Sequence, residues 1–483
     1  MGEYNEELQA ILDISIALSA EKDRNKLFNM IISKSMDICD CDAGTLYLYE
    51  DDKLTFKIMK TLSMNVDKGS DGEAIELPPV ELKEGNICAY CAIHRQTLNI
   101  PDVYESDRFD FSGPKKYDSM TGYHTGSMMA IPLIDSEDNV VGVLQLINSF
   151  DKEGNIVPFD VSHENVVYAL GSQAAIAISN VRYQQELNDQ MWSFAQAMAT
   201  AIDERTPYNA SHTRKVAEYS GMLADHINKL HDEGKEEEYF SKSRRDQLVM
   251  GAWLHDIGKL VTPLEVMNKA TRLGGREKDI EKRLERISLK ARIAMLEGRL
   301  SEEEYADVLR KTGQCTELIS RANSAGFLDD ELYGSLSEAF NYEFEDEGES
   351  IRFFTDEEKE CLSIRKGTLT DKERKIMEEH VAITARILDK VHFNKYFKDT
   401  PVWAAQHHEC LNGRGYPNHL KAEELTTDAR IIAVADICDA LLATDRPYKK
   451  PIPKDKAIDI MRDMASAGNI DARLVEYMAQ CLG

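Results

Sequence analysis

The chain is poor in what membranes and nucleic acids require. No apolar run reaches the roughly 18 residues of a membrane-spanning helix. The first residues, Met1-Gly-Glu-Tyr-Asn-Glu-Glu7, are acidic where a signal peptide is basic and then apolar. A cytoplasmic protein with no membrane association is expected. Basic residues are also scarce, with 58 Lys and Arg against 85 Asp and Glu for a formal charge of -27. Polynucleotides, which are held by neutralising phosphates, are therefore not expected partners, although one small phosphate ligand at a local site is compatible. Cysteines are few and odd in number, nine in 483 residues, which argues against a disulfide framework. Cys39/Cys41 and Cys88/Cys91 could together offer four thiolates to a metal. Both pairs lie among apolar residues, however, where Cys acts as a small hydrophobe. No P-loop, Gly-x-Ser-x-Gly elbow or zinc-ribbon spacing is present.

What remains is a soluble composition, 42% hydrophobic and 30% charged, in a chain too long for one ordinary core. From Leu8 to Ile38 apolar residues recur at three and four, which predicts one amphipathic helix. Strand pairs follow at Gly44–Tyr49 with Lys53–Ile58 and at Ser127–Ile134 with Val140–Ile147. Helix, strands, strands and helix describe an α+β domain. The closing helix starts near Ser162, and its stripe of Leu187, Met191, Phe194, Met198 and Ile202 continues without proline to Ile202. Such a connecting helix predicts a homodimer through a coiled coil. After Pro207 the pattern is almost wholly helical. The block from Arg276 to Cys361 reads as an inserted helical hairpin with a mobile acidic tip near Glu343–Glu349, a lid or partner surface in its functional reading.

The chemistry begins where the apolar helix Gln247–Leu254 runs into His255-Asp256-Ile-Gly-Lys259. Burying an imidazole beside a carboxylate is costly without a partner, and a divalent cation suits that mixed donor set. Gly258 is expected to end the helix and leave Lys259 free for a phosphate. Four further segments repeat the pattern of polar groups on apolar helices. His407-His408-Glu409 closes a helix before Gly413-Arg-Gly-Tyr-Pro417, Asp436 and Asp439 share one helical face, and His212 and His380 each lie on an amphipathic helix. Two cations about 3.5 to 4 Å apart stabilise both the attacking and the leaving oxygens at phosphorus, so the set predicts phosphoester hydrolysis.

From Glu204 to the C-terminus, the insertion apart, the sequence resembles the HD-GYP branch of the HD phosphohydrolases. The resemblance rests on His212, His255-Asp256, His380, His407-His408-Glu409, Gly415-Tyr416-Pro417, Asp436 and Asp445-Arg446-Pro447-Tyr448. It implies a phosphodiesterase for cyclic dinucleotides, chiefly cyclic di-GMP, with pGpG or GMP as product. It also implies two divalent ions, Fe or Mn. His212, His255, Asp256 and Asp436 would hold one, while Asp256 bridges to a second held by His380, His407 and His408. Lys259, Arg446 and Lys449 would face phosphates, as would the Gly415-Tyr416-Pro417 loop, with Asp256, Lys259 and Asp439 as catalytic groups. Tyr208 stands where three-metal members carry a Glu, which favours two ions. Thr206 and Asn412 replace aspartates common in the family.

The N-terminal region resembles GAF domains of the phosphodiesterase type in Thr121–Gly126 and Gly142–Asn148. This implies a sensory domain for a cyclic nucleotide or other small ligand, with Asn148, Phe159, His163 and Glu164 as candidate contacts, or else a purely dimerising domain. The expected organisation is a multidomain chain. An α+β GAF domain at 1–180 leads through a signalling helix at 181–203 to an all-α HD-GYP domain at 204–483, interrupted at about 276–361, with room for a signalling partner protein. The same chemistry on a mixed cyclic GMP-AMP dinucleotide, or a catalytically silent receptor, are the alternatives.

Overall fold

The computed structural model describes residues 12–205, 211–443 and 452–483. The chain packs as two units, Met1–Gln190 and Met191–Gly483.

The first unit is built on an antiparallel sheet. Its strands are β1 Cys41–Glu50, β2 Lys53–Thr61, β3 Val66–Lys68, β4 Val80–Glu81, β5 Leu98–Ile100, β6 Met128–Ile134, β7 Val140–Phe150 and β8 Ile156–Val157. The order is β3-β2-β1-β7-β6-β5, with β4 on β2 and β8 on β7. Side chains alternate across the pleat into two cores. Met129, Ile131 and Leu133 face the layer of the helix Arg24–Cys39. Met128, Ala130 and Val143 face the helix Ile87–His94. Because both faces are covered, β6 and β7 read as nearly continuous apolar runs. The β1–β2 connection is tighter than the sequence suggested: Asp51 and Asp52, at φ 48 and 58, form a two-residue turn of the hairpin type, and Glu50 pairs with Lys53.

The single N-terminal helix expected from Leu8 to Ile38 is in fact two. A helical segment at 12–20 ends before Asp23, whose side chain accepts from the N–H groups of Asn25 and Lys26 and starts Arg24–Cys39 afresh. The two cysteine pairs lie in different cores, Cys39 and Cys41 on one face of the sheet and Cys88 and Cys91 on the other. They form no four-thiolate site. The closing helix is one 43-residue element, Val161–Asp203, about 65 Å long at 1.5 Å per residue. No described helix is long and apolar enough to cross a membrane.

In the second unit the helices His212–Asp232, Lys242–Leu254 and Thr427–Leu442 enclose a core of Val216, Leu248, Ile432 and Val434 among others. The insertion has its own core, with the helices Glu277–Leu296 and Glu302–Ser324 as a hairpin. Its acidic run is no mobile tip. It forms a β-hairpin, β9 Glu343–Asp346 with β10 Glu349–Arg352, turning at Glu347 and Gly348 with positive φ. Phe344 and Ile351 point into the insertion core, and Lys290 holds Glu349 at 2.6 Å.

Candidate metal centre

His255 follows directly on the helix Lys242–Leu254, whose Leu248, Ala252 and Leu254 are fully buried. Its Nδ1 donates to the Ala252 carbonyl at 2.6 Å, which turns Nε2 inward. Three other imidazoles are fixed through Nδ1 as well. His407 Nδ1 donates to Ala404 O at 2.8 Å, His380 Nδ1 to Met377 O, and His212 Nδ1 to Asp439 Oδ2 at 2.6 Å. Fixing Nδ1 selects the tautomer and frees Nε2 as a donor to a cation.

The free ends converge on Asp256, which is 2% exposed. Its Oδ2 lies 3.2 Å from His255 Nε2 and 3.7 Å from His212 Nε2. Its Oδ1 lies 3.3 Å from His380 Nε2 and 3.8 Å from His407 Nε2. Asp436 Oδ1 is 3.2 Å from His212 Nε2. Three overlapping groups result, His212-His255-Asp436, His255-Asp256-His407 and His380-His407-His408, with the donor atoms of each group within 4.8 Å of one another. One carboxylate thus presents one oxygen to each of two ligand sets.

The donors fit divalent cations. Nε2 of His255, His380 and His407 and Oδ1 of Asp256 are buried with no hydrogen-bond partner. Each orphaned buried polar group costs about 1 to 3 kcal/mol, so four in one place call for a common partner. Burial, together with the neighbouring imidazoles, holds His407 well below its usual range, and burial pushes His408 down to about 4. Both are therefore neutral, as ligands must be. His212 goes the other way. Burial opposes its charge, yet hydrogen bonds to Asp436 and Asp439 raise it to about 10. A proton there balances carboxylates that a cation would balance instead. Despite burial, Asp256 is held well below the carboxylate range by His255 and Lys259.

Several expected roles change. Asp439, expected to reach the reacting centre, stands behind His212 and orients it. Lys259 is not free, since its Nζ lies 2.5 Å from Asp256 Oδ2. Gly258 does not end the helix, which stops at Leu254. A Cβ on Gly258 would sit 1.9 Å from the His380 carbonyl, so the glycine permits contact with the His380 helix, Asp371–Leu388. In the Gly415-Tyr416-Pro417 loop, Gly415 packs on the Glu409 and Cys410 backbone, where a Cβ would come within 2.5 Å of Glu409 Cα. The Tyr416 ring lies 4.9 Å from that of His408. Glu409 ties the loop down by accepting from Asn418 and Leu420 N–H. Asn412 donates to Ala467 O and Asn469 Oδ1, a structural task. Thr206, Tyr208, Asp445, Arg446, Pro447, Tyr448 and Lys449 lie outside the described residues.

The expected GAF contacts are partly spent inside the fold. Asn148 uses its whole amide on the 123–126 loop, donating to His124 O and Tyr123 Oη and accepting from Gly126 N. Phe159 is core. His163 and Glu164 lie half-buried in the first turn of the long helix.

One residue escaped the sequence reading altogether. Thr384, fully buried, donates from Oγ1 to His255 O and accepts from Gly258 N, both at 3.0 Å, stapling the His380 helix to the His255-Asp256 turn. Its only sequence signal is a position one turn after His380. Thr384→Val is expected to cost about 2 kcal/mol from two stranded backbone groups. It should lower turnover about tenfold, as loss of an outer partner does, while Thr384→Ser restores most of both. Thermal melts and steady-state assays on the three proteins check this.

A family model described as GAF domain matches residues 23–178, and two described as HD domain match 209–318 and 359–474. Among curated proteins, the chain is 41% identical over 97 residues to a 3'3'-cGAMP-specific phosphodiesterase 3 of Vibrio cholerae, which covers 20% of each chain. It is 36% identical over 99 residues to the cyclic di-GMP phosphodiesterase response regulator RpfG of Xanthomonas campestris, 20% of this chain and 26% of that one. To the Vibrio cholerae 3'3'-cGAMP-specific phosphodiesterase 1 it is 23% identical over 299 residues, 62% of this chain and 44% of that one. The chain thus spans less than half the length of each of these relatives.

Proposed function

We propose that this chain, which joins a GAF domain to an HD domain, is a metal-dependent phosphodiesterase that hydrolyses cyclic di-GMP to pGpG or GMP. The observation that carries the reading is Asp256, with one oxygen toward His212 and His255 and the other toward His380 and His407. In this assignment His212, His255, Asp256 and Asp436 hold one ion, and Asp256, His380, His407 and His408 the other. Fe or Mn suits an imidazole-rich set with a shared carboxylate. Such a pair supplies an activated water and charge stabilisation at phosphorus. The chain's own residues do the rest. The Nδ1 hydrogen bonds hold the imidazoles in register, Lys259 keeps Asp256 ionised, and Tyr416 covers His408. Arg446 and Lys449 remain assigned to the phosphates by resemblance.

The GAF domain is the regulatory part, and the long helix is the dimer contact. Of the stripe expected to form it, Met191, Met198 and Ile202 pack instead into the core of the second unit, while Leu187 and Phe194, with Tyr183, are exposed at 54%, 37% and 38% and fall on the a and d positions of one heptad frame. A second reading keeps the centre and changes the substrate to a mixed cyclic GMP-AMP dinucleotide, which two relatives named as 3'3'-cGAMP-specific phosphodiesterases favour. The silent receptor is disfavoured because no ligand position is missing. Purified full-length protein loaded with Mn or Fe should turn over cyclic di-GMP faster than the mixed dinucleotide. The reverse order selects the second reading, and inertness toward both sinks the proposal.

A further inference from the structure

The long helix does not merely lead up to the second unit; its last turn is fastened to the ligand-bearing elements. Asp203, its final residue, accepts from Thr213 Oγ1 at 3.1 Å, and Thr213 follows the ligand position His212. Two residues on, the Arg205 guanidinium donates to three backbone carbonyls, Lys259 at 2.9 Å, Leu260, and Thr262 at 3.3 Å. These belong to and follow the 3-10 turn Ile257–Leu260, which comes straight after His255-Asp256. Carbonyls at the end of a helical turn carry partial negative charge, and a planar guanidinium can bridge several of them at once. Below this clamp, Ala195 and Ile202 of the same helix pack in one cluster with Leu254, Ile257, Leu388 and Ala404. Leu254 precedes His255, Ile257 follows Asp256, Leu388 ends the His380 helix, and Ala404 supplies the carbonyl that orients His407. A single helix end therefore touches the supports of both ligand sets.

We propose that Asp203 and Arg205 are positioning residues of the metal centre, through which the long helix sets His212 against the His255-Asp256 turn. The inference rests on the metal-centre assignment of the proposed function, yet its outcome can be read apart from any substrate. A helix that slides or turns by a fraction of an ångström moves Thr213 and the 259–262 carbonyls together. Misplacement on the ångström scale is enough to change turnover about 100-fold. The long helix is thus a mechanical input to the centre, and these two side chains are its point of delivery.

The test uses full-length protein carrying Arg205→Met, Arg205→Lys or Asp203→Asn, purified in Mn. Bound ions per chain, kcat, KM and melting temperature are measured for each. For Arg205→Met we expect kcat to fall about tenfold or more, KM to stay within about threefold, and bound metal to drop below two ions per chain, the scale of an outer-partner loss. Arg205→Lys, able to reach fewer carbonyls, should recover only part of kcat. Asp203→Asn, which keeps an oxygen acceptor for Thr213, should show the mildest effect. Two ions per chain with kcat within twofold of wild type in Arg205→Met would overturn the proposal, whatever happens to the melting temperature, because a merely stabilising arginine predicts that result. Should Arg205→Met fail to fold, the same criterion applies to Arg205→Lys. If wild type binds two ions yet hydrolyses neither dinucleotide, the proposed function fails, while the ion count in the variants still decides the clamp.

Discussion

Asp256→Asn is expected to leave at most one bound ion per chain and to lower kcat/KM by about three orders of magnitude. The argument is geometric. Asp256 aims Oδ2 at His212 and His255 and Oδ1 at His380 and His407, so among the described residues it is the group common to both ligand sets. An amide offers one oxygen and no negative charge, and its NH2 would have to face one of the imidazole Nε2 atoms. Both ligand sets then lose the Asp256 charge, the His380-His407-His408 set keeps no anion while the other keeps Asp436, and the activity that depends on a pair of ions falls by the product of weaker binding and poorer charge stabilisation. The fold should survive, since the volume is unchanged and a neutral amide is easier to bury than a carboxylate. Melting in chelator within a few degrees of wild type, with metal analysis and turnover on one preparation, separates loss of the centre from loss of the protein. Two ions retained would show that Asp256 is not the bridge.

Gly258→Ala should be nearly as severe by another route. The added carbon would lie 1.9 Å from His380 O and 2.8 Å from both His380 C and Thr384 N, all helix backbone. A side chain could rotate away, but a helix must translate. Overpacking of this kind costs about 1 to 3 kcal/mol and sometimes more. The relief available is to push the helix Asp371–Leu388 off the Ile257–Leu260 turn, which lengthens the 3.3 Å approach of His380 to Asp256. A melting temperature lowered by several degrees together with a loss of metal on the His380 side is the expected pair of results. An alanine variant with wild-type stability would show that the contact is looser than the structure places it.

The seven positions that meet in the candidate centre were legible because each put a titratable group on or just after a helix with a buried apolar side, a combination that is expensive unless something pairs it. The α+β character of the first unit was legible for a related reason, since its paired apolar runs were bounded by turn residues. What failed were roles that depend on a second element. Asp436 and Asp439 share a helical face, but only the structure shows that His212 lies between them in effect, contacted at Nε2 by one and at Nδ1 by the other. Gly258 looked like local punctuation, whereas its neighbour is His380, more than a hundred positions away. Thr384 could not be told from any threonine on an amphipathic helix. In the acidic run, net charge outweighed the alternation of Phe344 and Ile351. At Asn148, a family signature suggested a ligand contact where the amide closes a loop.

The private core of the insertion bears on how the centre is assembled in time. His380 and Asp256 meet across about 120 residues of chain, and closing so long a loop is entropically costly and slow to find. The insertion, however, brings its two ends together by itself. Arg272 Nε donates to Ile364 O at 2.8 Å. Once that subdomain has formed, the chain left to close between Asp256 and His380 is about a quarter as long, a relief of about 1 kcal/mol in the logarithmic loop estimate. The insertion then acts as a scaffold for folding order, and its length can drift without lengthening the search that joins the two halves of the centre.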